Sequence, residues 1–142
     1  MEMHINMVAV LVAVVANFFL GFLWYSPLFG KAWAKEMGYD LTVKPPASAM
    51  IKGMVIMVIG NFFMAYVFAH NNMAWTFVPG AKDYTPMETI LSSSIFTWLG
   101  FYLPVDLNRI AWERASWKLF FINTVYHFLA VLVAAIVLTY MP

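Results

Sequence analysis

Four long stretches of the sequence carry no Asp, Glu, Lys or Arg, and they restrict the fold more than any other feature. They lie at 5–30, 53–81, 89–105 and 119–142. A helix rises about 1.5 Å per residue and the hydrocarbon core is about 30 Å thick, so roughly 20 apolar residues cross it. Trimmed at turn-forming residues, the stretches predict an all-α, four-transmembrane-helix bundle in one domain, 1–142, with spans at about 7–25, 49–69, 87–105 and 117–140.

The composition agrees with a membrane environment. The chain is 63% hydrophobic and only 11% charged, with a mean hydropathy of +0.77, whereas soluble domains are about 25% charged. Membrane lipid is therefore an expected partner, and buried helices of a soluble protein are the less favoured interpretation. A net charge of +1 without a basic tract argues against nucleic acid. The absence of cysteine excludes disulfides and thiolate chemistry.

The positive charges predict the orientation. Seven of the eight cationic side chains fall in or beside two of the connections, namely Lys31, Lys35, Lys44, Lys52, Arg109, Arg114 and Lys118. Only Lys82 lies on the other side, so the positive-inside rule predicts that both termini are non-cytoplasmic. The segment before the first run contains Glu2 and no cation, unlike a secretory signal, so we expect this run to be retained. These features predict a multi-pass integral membrane protein.

The first run ends in a segment typical of the membrane interface, Trp24-Tyr25-Ser26-Pro27-Leu28-Phe29-Gly30-Lys31-Ala32-Trp33. Amphipathic rings favour the headgroup layer, and lysine stays in water. An interfacial helix over 31–39 is expected, ended by Pro45-Pro46. A weak repeat is also present: shifted by 79 positions, Leu20-Gly21-Phe22 falls on Leu99-Gly100-Phe101, and Ala32-Trp33 falls on Ala111-Trp112. It suggests two repeated helical hairpins.

Small and polar residues at helical spacing predict the faces that pack together. The predicted stripes are Ala9, Ala13, Asn17, Gly21 and Tyr25; Gly53, Met57, Asn61 and Ala65; Ser93, Thr97, Gly100 and Pro104; and Asn123, His127, Ala130 and Ala134. The polar interior candidates are Asn17, Asn61, Asn123, Tyr126 and His127. They either hold helices together or line a ligand or proton site, because ionisable groups within membranes are costly.

A second cluster is predicted at the cytoplasmic edge. It consists of Trp24, Tyr25, Ser26, Asp106, Arg109, Trp112 and Glu113. Asp106 with Arg109, and Arg109 with Glu113, have the spacings of helical ion pairs. The cluster is either a solvated salt-bridge network or an anion site for a headgroup. We expect Trp24, Tyr25 and Pro27 to contact the segment 106–112.

Metal binding and catalysis have weaker support. Met3, His4, His70 and Met73 are soft ligands that suit copper(I), but they form no tight ligand motif, and methionine commonly fills apolar gaps. We therefore expect no metal and no cofactor. No phosphate loop, nucleophile elbow or zinc-protease helix is present.

Aromatic, glycine and proline positions form a recognisable pattern: Gly21, Trp24-Tyr25-Ser26-Pro27, Phe29-Gly30, Trp33, Gly100-Phe101, Trp112-Glu113, Trp117-Lys118-Leu119-Phe120, Ile122-Asn123 and Tyr126. In these positions the chain resembles the bacterial membrane proteins described as domain of unknown function 1761. The resemblance implies a small four-helix membrane protein with no established activity. It also places the preferred site in the cytoplasmic half, away from His4 and His70. The resemblance assigns no role to His127.

Three functions remain open at this stage. The first is a lipid- or small-molecule-binding or transport bundle that works as a homo-oligomer. The second is a structural or accessory subunit of a larger membrane complex, docked through its many aromatic side chains. The third is a lipid-modifying enzyme with Asp106 or Glu113 as acid or base.

Overall fold

In a computed structural model, residues 4–142 are described, apart from the side chain of Lys82, and they are almost entirely helical. Six α-helices follow one another: α1 Met7–Leu23, α2 Gly30–Met37, α3 Ala47–Trp75, α4 Pro86–Thr97, α5 Leu103–Glu113 and α6 Trp117–Tyr140. A π turn, Trp24–Leu28, extends α1, and a second π turn, Trp98–Tyr102, joins α4 to α5. A short 3-10 turn, Ala81–Asp83, precedes α4.

Four continuous helices are long and apolar enough to cross a membrane, which confirms the predicted four-helix fold. They run over Met7–Leu28, Ala47–Trp75, Pro86–Glu113 and Trp117–Tyr140. The second and third are longer than the spans predicted for them. The second continues to Trp75 because its sequence contains no helix breaker before Thr76. The third passes through Pro104 with the help of the second π turn.

The packing order makes α6 the central helix. It packs against α1 on one side and α4 on the other, and α1 also packs against α3. Ten residues of α6 are buried, whereas α3 buries only Ala65, Phe68 and Ala69. The apolar core joins these helices through Val10, Ala13, Phe68, Ile90, Val131 and Ala134. The outward faces of α3 and α4 are apolar, as lipid contact requires.

The two ends of the described chain meet. Asn6 caps α1 by accepting the Val8 and Ala9 N–H groups, and its Nδ2 donates to the carbonyls of Met141 and Pro142 at 3.4 and 3.2 Å. We call this end of the bundle the terminal side. The opposite end, where the chain turns through 29–46 and 114–116, is the elbow side. Residues 6 and 142 therefore lie at the same end of the bundle, and their non-cytoplasmic location stays a prediction.

Each π turn is associated with a proline. Pro27 lies within the first turn, and Pro104 follows the second by two residues. A proline ring clashes with the carbonyl four residues earlier in an α-helix, and a wider turn relieves that clash. Trp98 follows Trp24 by 74 positions, so the two π turns do not correspond under the shift of 79 suggested by the sequence. The π turns are thus offset by five positions from the proposed repeat, which stays a prediction.

The interfacial helix α2 is shorter than predicted. It ends at Met37 because Gly38 adopts a left-handed conformation, with φ of 75°. The expectation that Pro45-Pro46 ends this helix was therefore wrong; Pro46 is instead the cap of α3. Glu36 of α2 accepts a hydrogen bond from the Ser116 hydroxyl, and Ser116 caps α6. These contacts hold α2 against the start of α6.

Gly30→Ala is expected to destabilise the first elbow. A Cβ at position 30 would lie 2.6 Å from the Tyr25 carbonyl oxygen, so the backbone would have to shift. Overpacking of this kind costs about 1 to 3 kcal/mol. The loss is measured by denaturant unfolding of the purified protein in micelles. Gly53→Ala is the control, since nothing lies within 4 Å of its Cβ position; equal stability of both variants would contradict this account.

Candidate functional site

The second π turn determines which residues of the third crossing face α6. The residues of this crossing that face α6 are spaced four positions apart. They are Ile90, Ser94, Trp98, Tyr102 and Asp106. In a regular α-helix, Asp106 would lie about 120° from Ser94 around the axis. One extra residue in a π turn reduces this difference to roughly 20°. The predicted stripe Ser93, Thr97, Gly100 and Pro104 was therefore the wrong face, with Gly100 and Pro104 exposed.

Asp106 and His127 form a buried pair at the centre of the site. The Nδ1 atom of His127 lies 2.8 Å from Oδ2 of Asp106. The side chain of Asp106 is only 3% exposed and that of His127 is 28% exposed. The sequence had placed Asp106 in a solvated edge cluster, paired with Arg109, and His127 in a separate interior group. The structure joins the two groups through this contact.

Arg109 pairs with Glu113, as predicted from their spacing. Arg109 Nε lies 3.0 Å from Glu113 Oε2. Glu113 is exposed and Arg109 is half-buried, so solvent screens this ion pair and it contributes little to stability. Trp112 is 85% exposed, and Ser26 is also exposed. These members of the predicted edge cluster, Ser26, Trp112 and Glu113, thus lie at the surface of the chain and outside the buried pair.

Three tyrosines surround the buried pair. The Tyr102 ring lies 5.1 Å from the His127 ring, and the Tyr126 ring lies 5.7 Å from it. Tyr25 donates its hydroxyl proton to Asn123 Oδ1 at 2.8 Å, and its ring packs against Tyr126 at 4.9 Å. Asn123 and His127 are four residues apart and share one face of α6. We call the set Tyr25, Tyr102, Asp106, Asn123, Tyr126 and His127 the polar network.

The polar network also approaches α3, and α1 packs closely against it. The side chain of Asn61 lies near the Tyr126 hydroxyl, and its Nδ2 donates to the Met57 carbonyl at 3.0 Å. At Gly21, an added Cβ would lie 3.1 Å from the Tyr126 hydroxyl and 3.3 Å from the Met57 sulfur. Glycine at this position therefore lets the Tyr126 hydroxyl lie against α1.

Asn17 lies one turn further toward the membrane centre and has a different role. It is fully buried, and its Nδ2 donates to the Ala130 carbonyl at 3.1 Å, which joins α1 to α6. Its Oδ1 atom is buried without a hydrogen-bond partner. This geometry agrees with the packing interpretation of Asn17, since membrane helices use such bonds to associate.

The two π turns both contact α6, each through a tryptophan. Trp24 Nε1 donates to the Ile122 carbonyl at 2.9 Å, and Trp98 Nε1 donates to the Thr124 carbonyl at 3.0 Å. Residues two apart lie about 200° around a helix, so the indoles reach α6 from nearly opposite sides. Of the residues predicted to contact 106–112, Tyr25 lies within electrostatic range of Asp106 and Arg109.

Sequence reasoning missed a cavity on the terminal side. It has a volume of about 410 Å³ and lies between the end of α3, at Asn71 and Asn72, and the start of α4, at Ser92 and Ser93. The only sequence signal was the polar spacing of the α4 residues on one face. A second cavity of about 210 Å³ adjoins it, since Asn72, Thr76 and Thr89 line both.

The candidate copper ligands are only partly brought together. His4 and Met73 both line the second cavity, whereas the ring of His70 is hydrogen-bonded to the Tyr66 carbonyl at 2.9 Å. Met3 lies outside the described residues. In the part of the chain that the structure describes, no group of three or more His, Asp or Glu side chains is placed to hold a metal ion.

Comparison with known proteins identifies a family but no characterised relative. No curated protein and no solved structure matches the chain. A family model described as "Protein of unknown function (DUF1761)" matches residues 8–139, nearly the whole sequence. The chain therefore belongs to the domain of unknown function 1761 family, as its Trp-Tyr-Ser-Pro segment and its last helix had indicated.

Proposed function

We propose that this integral membrane protein binds a small molecule or lipid and transports it as an oligomer, with proton exchange at Asp106 and His127. The buried pair is the observation that supports the proposal. An ionisable group within a membrane span is costly and usually functional. A carboxylate and an imidazole 2.8 Å apart can hold one proton between them. Gain or loss of that proton changes the charge of the bundle interior by one unit, which biases two conformations differently.

The depth of the pair suits proton exchange with the elbow side. Asp106 lies seven residues before the end of α5 at Glu113, which corresponds to about 10 Å along the helix. His127 retains partial exposure, while Asp106 is closed off. Tyr25, Tyr102 and Tyr126 supply hydroxyl groups around the pair, and Arg109 supplies the nearest cation on α5. The excess of cations on this side supports a cytoplasmic location, in a bacterial inner membrane.

The packing order supports an oligomer. The most extensive contacts join the helices in a row, in the order α3, α1, α6, α4, and α3 shares no extensive contact with α4, so the row is open between those two helices. A pathway that is closed on all sides requires more helices than this row contains. The outward apolar faces of α3 and α4 are available for contact with further copies. A closed rotational assembly is the usual way in which identical chains make such a pathway.

The geometry favours transport over the lipid-modifying enzyme. Asp106 is buried and already bonded to His127, so its carboxylate is closed to a headgroup. Glu113 is exposed and paired with Arg109 at the elbow side. The two acids therefore do not converge on one reacting bond. The accessory-subunit alternative has the exposed aromatic surface as its support, which lipid contact explains equally well.

Proton uptake into liposomes tests the proposal. The purified protein is reconstituted with a pH-sensitive dye inside, and a potassium gradient with valinomycin drives protons inward. We expect uptake well above that of protein-free liposomes, and we expect Asp106→Asn and His127→Gln each to reduce it to the protein-free rate. Native mass spectrometry of the same preparation reports the oligomer.

Two matched variants control for the loss of a carboxylate or an imidazole outside the network. Asp40 lies in the exposed loop after α2, where hydrogen bonds from the Thr42 hydroxyl and N–H hold its pKa below the ordinary value. It is therefore ionised under the assay conditions, and Asp40→Asn should retain uptake. His70→Gln should do the same. Uptake equal to that of protein-free liposomes, or full uptake by Asp106→Asn and His127→Gln, would overturn proton exchange; a strict monomer would overturn the oligomer.

A further inference from the structure

The cavity on the terminal side exists because α3 and α4 pack on different partners. In this half of the bundle α3 lies against α1, and α4 lies against α6. The connection 76–85 spans the space between the two helices. Tyr84 of this connection and Trp75 at the end of α3 line the cavity. The space of about 410 Å³ has the size of a ligand-binding cavity. It lies on the opposite side of the membrane from the polar network.

The lining of this cavity is mostly apolar, and the polar side chains in it are uncharged. Asn71 and Asn72 present side-chain amides from α3, and Ser92 and Ser93 present hydroxyls from α4. The two serine hydroxyls donate to the carbonyls of Glu88 and Thr89 at 2.6 and 2.7 Å, so their oxygens remain available as acceptors. Among the residues described around the cavity, none is charged. The described lining residues therefore offer no counter-charge to a charged headgroup.

The depth of the cavity suits an amphiphile. Thr97, which lines its inner end, follows Pro86 by 11 residues, or roughly 16 Å along the helix. The cavity thus runs from the interface to about half the thickness of the hydrocarbon core. Phe96 and Trp75 add apolar walls. The adjoining cavity contains Thr139, whose buried hydroxyl oxygen has no hydrogen-bond partner in the described structure. A hydroxylated ligand that fills both cavities would supply one.

We propose that these joined cavities bind an uncharged lipid with a hydroxylated headgroup, of the monoacylglycerol class. The headgroup hydroxyls would bond the amides of Asn71 and Asn72 and the oxygens of Ser92 and Ser93, and the acyl chain would leave along α3 and α4 into the bilayer. This lipid is the ligand of the proposed transport. Its movement across the membrane rests on the proposed function, whereas its binding does not.

Photolabelling tests the binding site. The full-length protein in phosphatidylcholine nanodiscs is labelled with a monoacylglycerol that carries a diazirine in its acyl chain, and the labelled peptides are mapped. We expect saturable labelling of 71–76 and 89–97 that excess unlabelled monoacylglycerol removes and excess phosphatidylglycerol does not. Ser93→Phe fills the cavity and should lower labelling at least tenfold. Asn72→Leu removes one amide and should weaken binding about tenfold, the effect of one lost hydrogen bond with its partner left unpaired.

The controls separate this site from ordinary lipid contact and from proton exchange. Ile95→Phe adds the same ring on the exposed face of α4, and this variant should be labelled as strongly as the wild-type protein. Labelling that is non-saturable, that Ser93→Phe and Asn72→Leu leave unchanged, or that phosphatidylglycerol removes equally well would overturn the proposal. Asp106→Asn should retain full labelling. Labelling without proton uptake would keep the site and overturn transport, whereas uptake without labelling would keep transport and overturn the site.

Discussion

Replacing His127 with leucine is expected to lower the free energy of unfolding by about 3 kcal/mol, because it leaves a buried carboxylate without its partner. Asp106 is 3% exposed, and the only side-chain group bonded to it in the described structure is the ring of His127. Removing the partner of a buried carboxylate costs about 3 to 5 kcal/mol, and the partial exposure of His127 favours the lower end. The loss is measured by unfolding in mixed micelles, with tryptophan fluorescence as the signal.

A double-mutant cycle separates this pair from simple loss of packing. Asp106→Leu removes the carboxylate, and the double variant Asp106→Leu with His127→Leu contains neither polar group. Since a pair replaced by apolar residues of similar volume is often neutral, the double variant should be more stable than His127→Leu alone. If the two single losses simply add in the double variant, the contact does not stabilise the fold as a pair. His70→Leu provides the matched histidine control, expected within about 0.5 kcal/mol of wild type because the contact of its ring with the Tyr66 carbonyl is exposed.

Much of the fold follows from local sequence patterns. The four apolar runs specify four crossings, because hydrocarbon accepts only helices whose backbone groups are bonded internally. The α1 stripe was also correct: Ala9, Ala13, Asn17 and Gly21 are all buried, since the helix is regular up to Leu23. On α6 the predicted Asn123, Ala130 and Ala134 are likewise buried. Regular helical spacing is sufficient wherever the helix itself is regular.

The site was harder to predict because a π turn changes the spacing. A spacing of three or four residues places Ser93, Thr97, Gly100 and Pro104 on one face only if α4 and α5 form one regular helix. The extra residue of the second π turn brings Asp106 onto the face of Ser94, and only then does its carboxylate meet His127. A proline in an apolar run signals such an irregularity, but it does not specify how many residues the wider turn contains. The partner of Asp106 therefore depended on tertiary structure.

Inserting one alanine after Gly100 is expected to destabilise the protein by about 3 kcal/mol, because a second extra residue rotates Asp106 roughly 100° away from His127. Deleting Gly100 should have a much smaller effect. The deletion removes the extra residue, so a regular α-helix then places Asp106 on the same face as Ser94. Because Pro104 requires the wider turn, both changes are made in a Pro104→Ala background, with that single variant as the reference.

The difference expected between the insertion and the deletion distinguishes the π turn from a regular helix. In a regular helix, the two changes would rotate Asp106 by equal and opposite angles. The unfolding free energy of each variant is measured with and without Asp106→Asn. In the deletion variant, Asp106→Asn should cost as much as in the reference, because the pair with His127 is kept. In the insertion variant it should cost close to nothing, since the pair is already lost. Equal damage from insertion and deletion would show that the second π turn does not place Asp106 opposite His127.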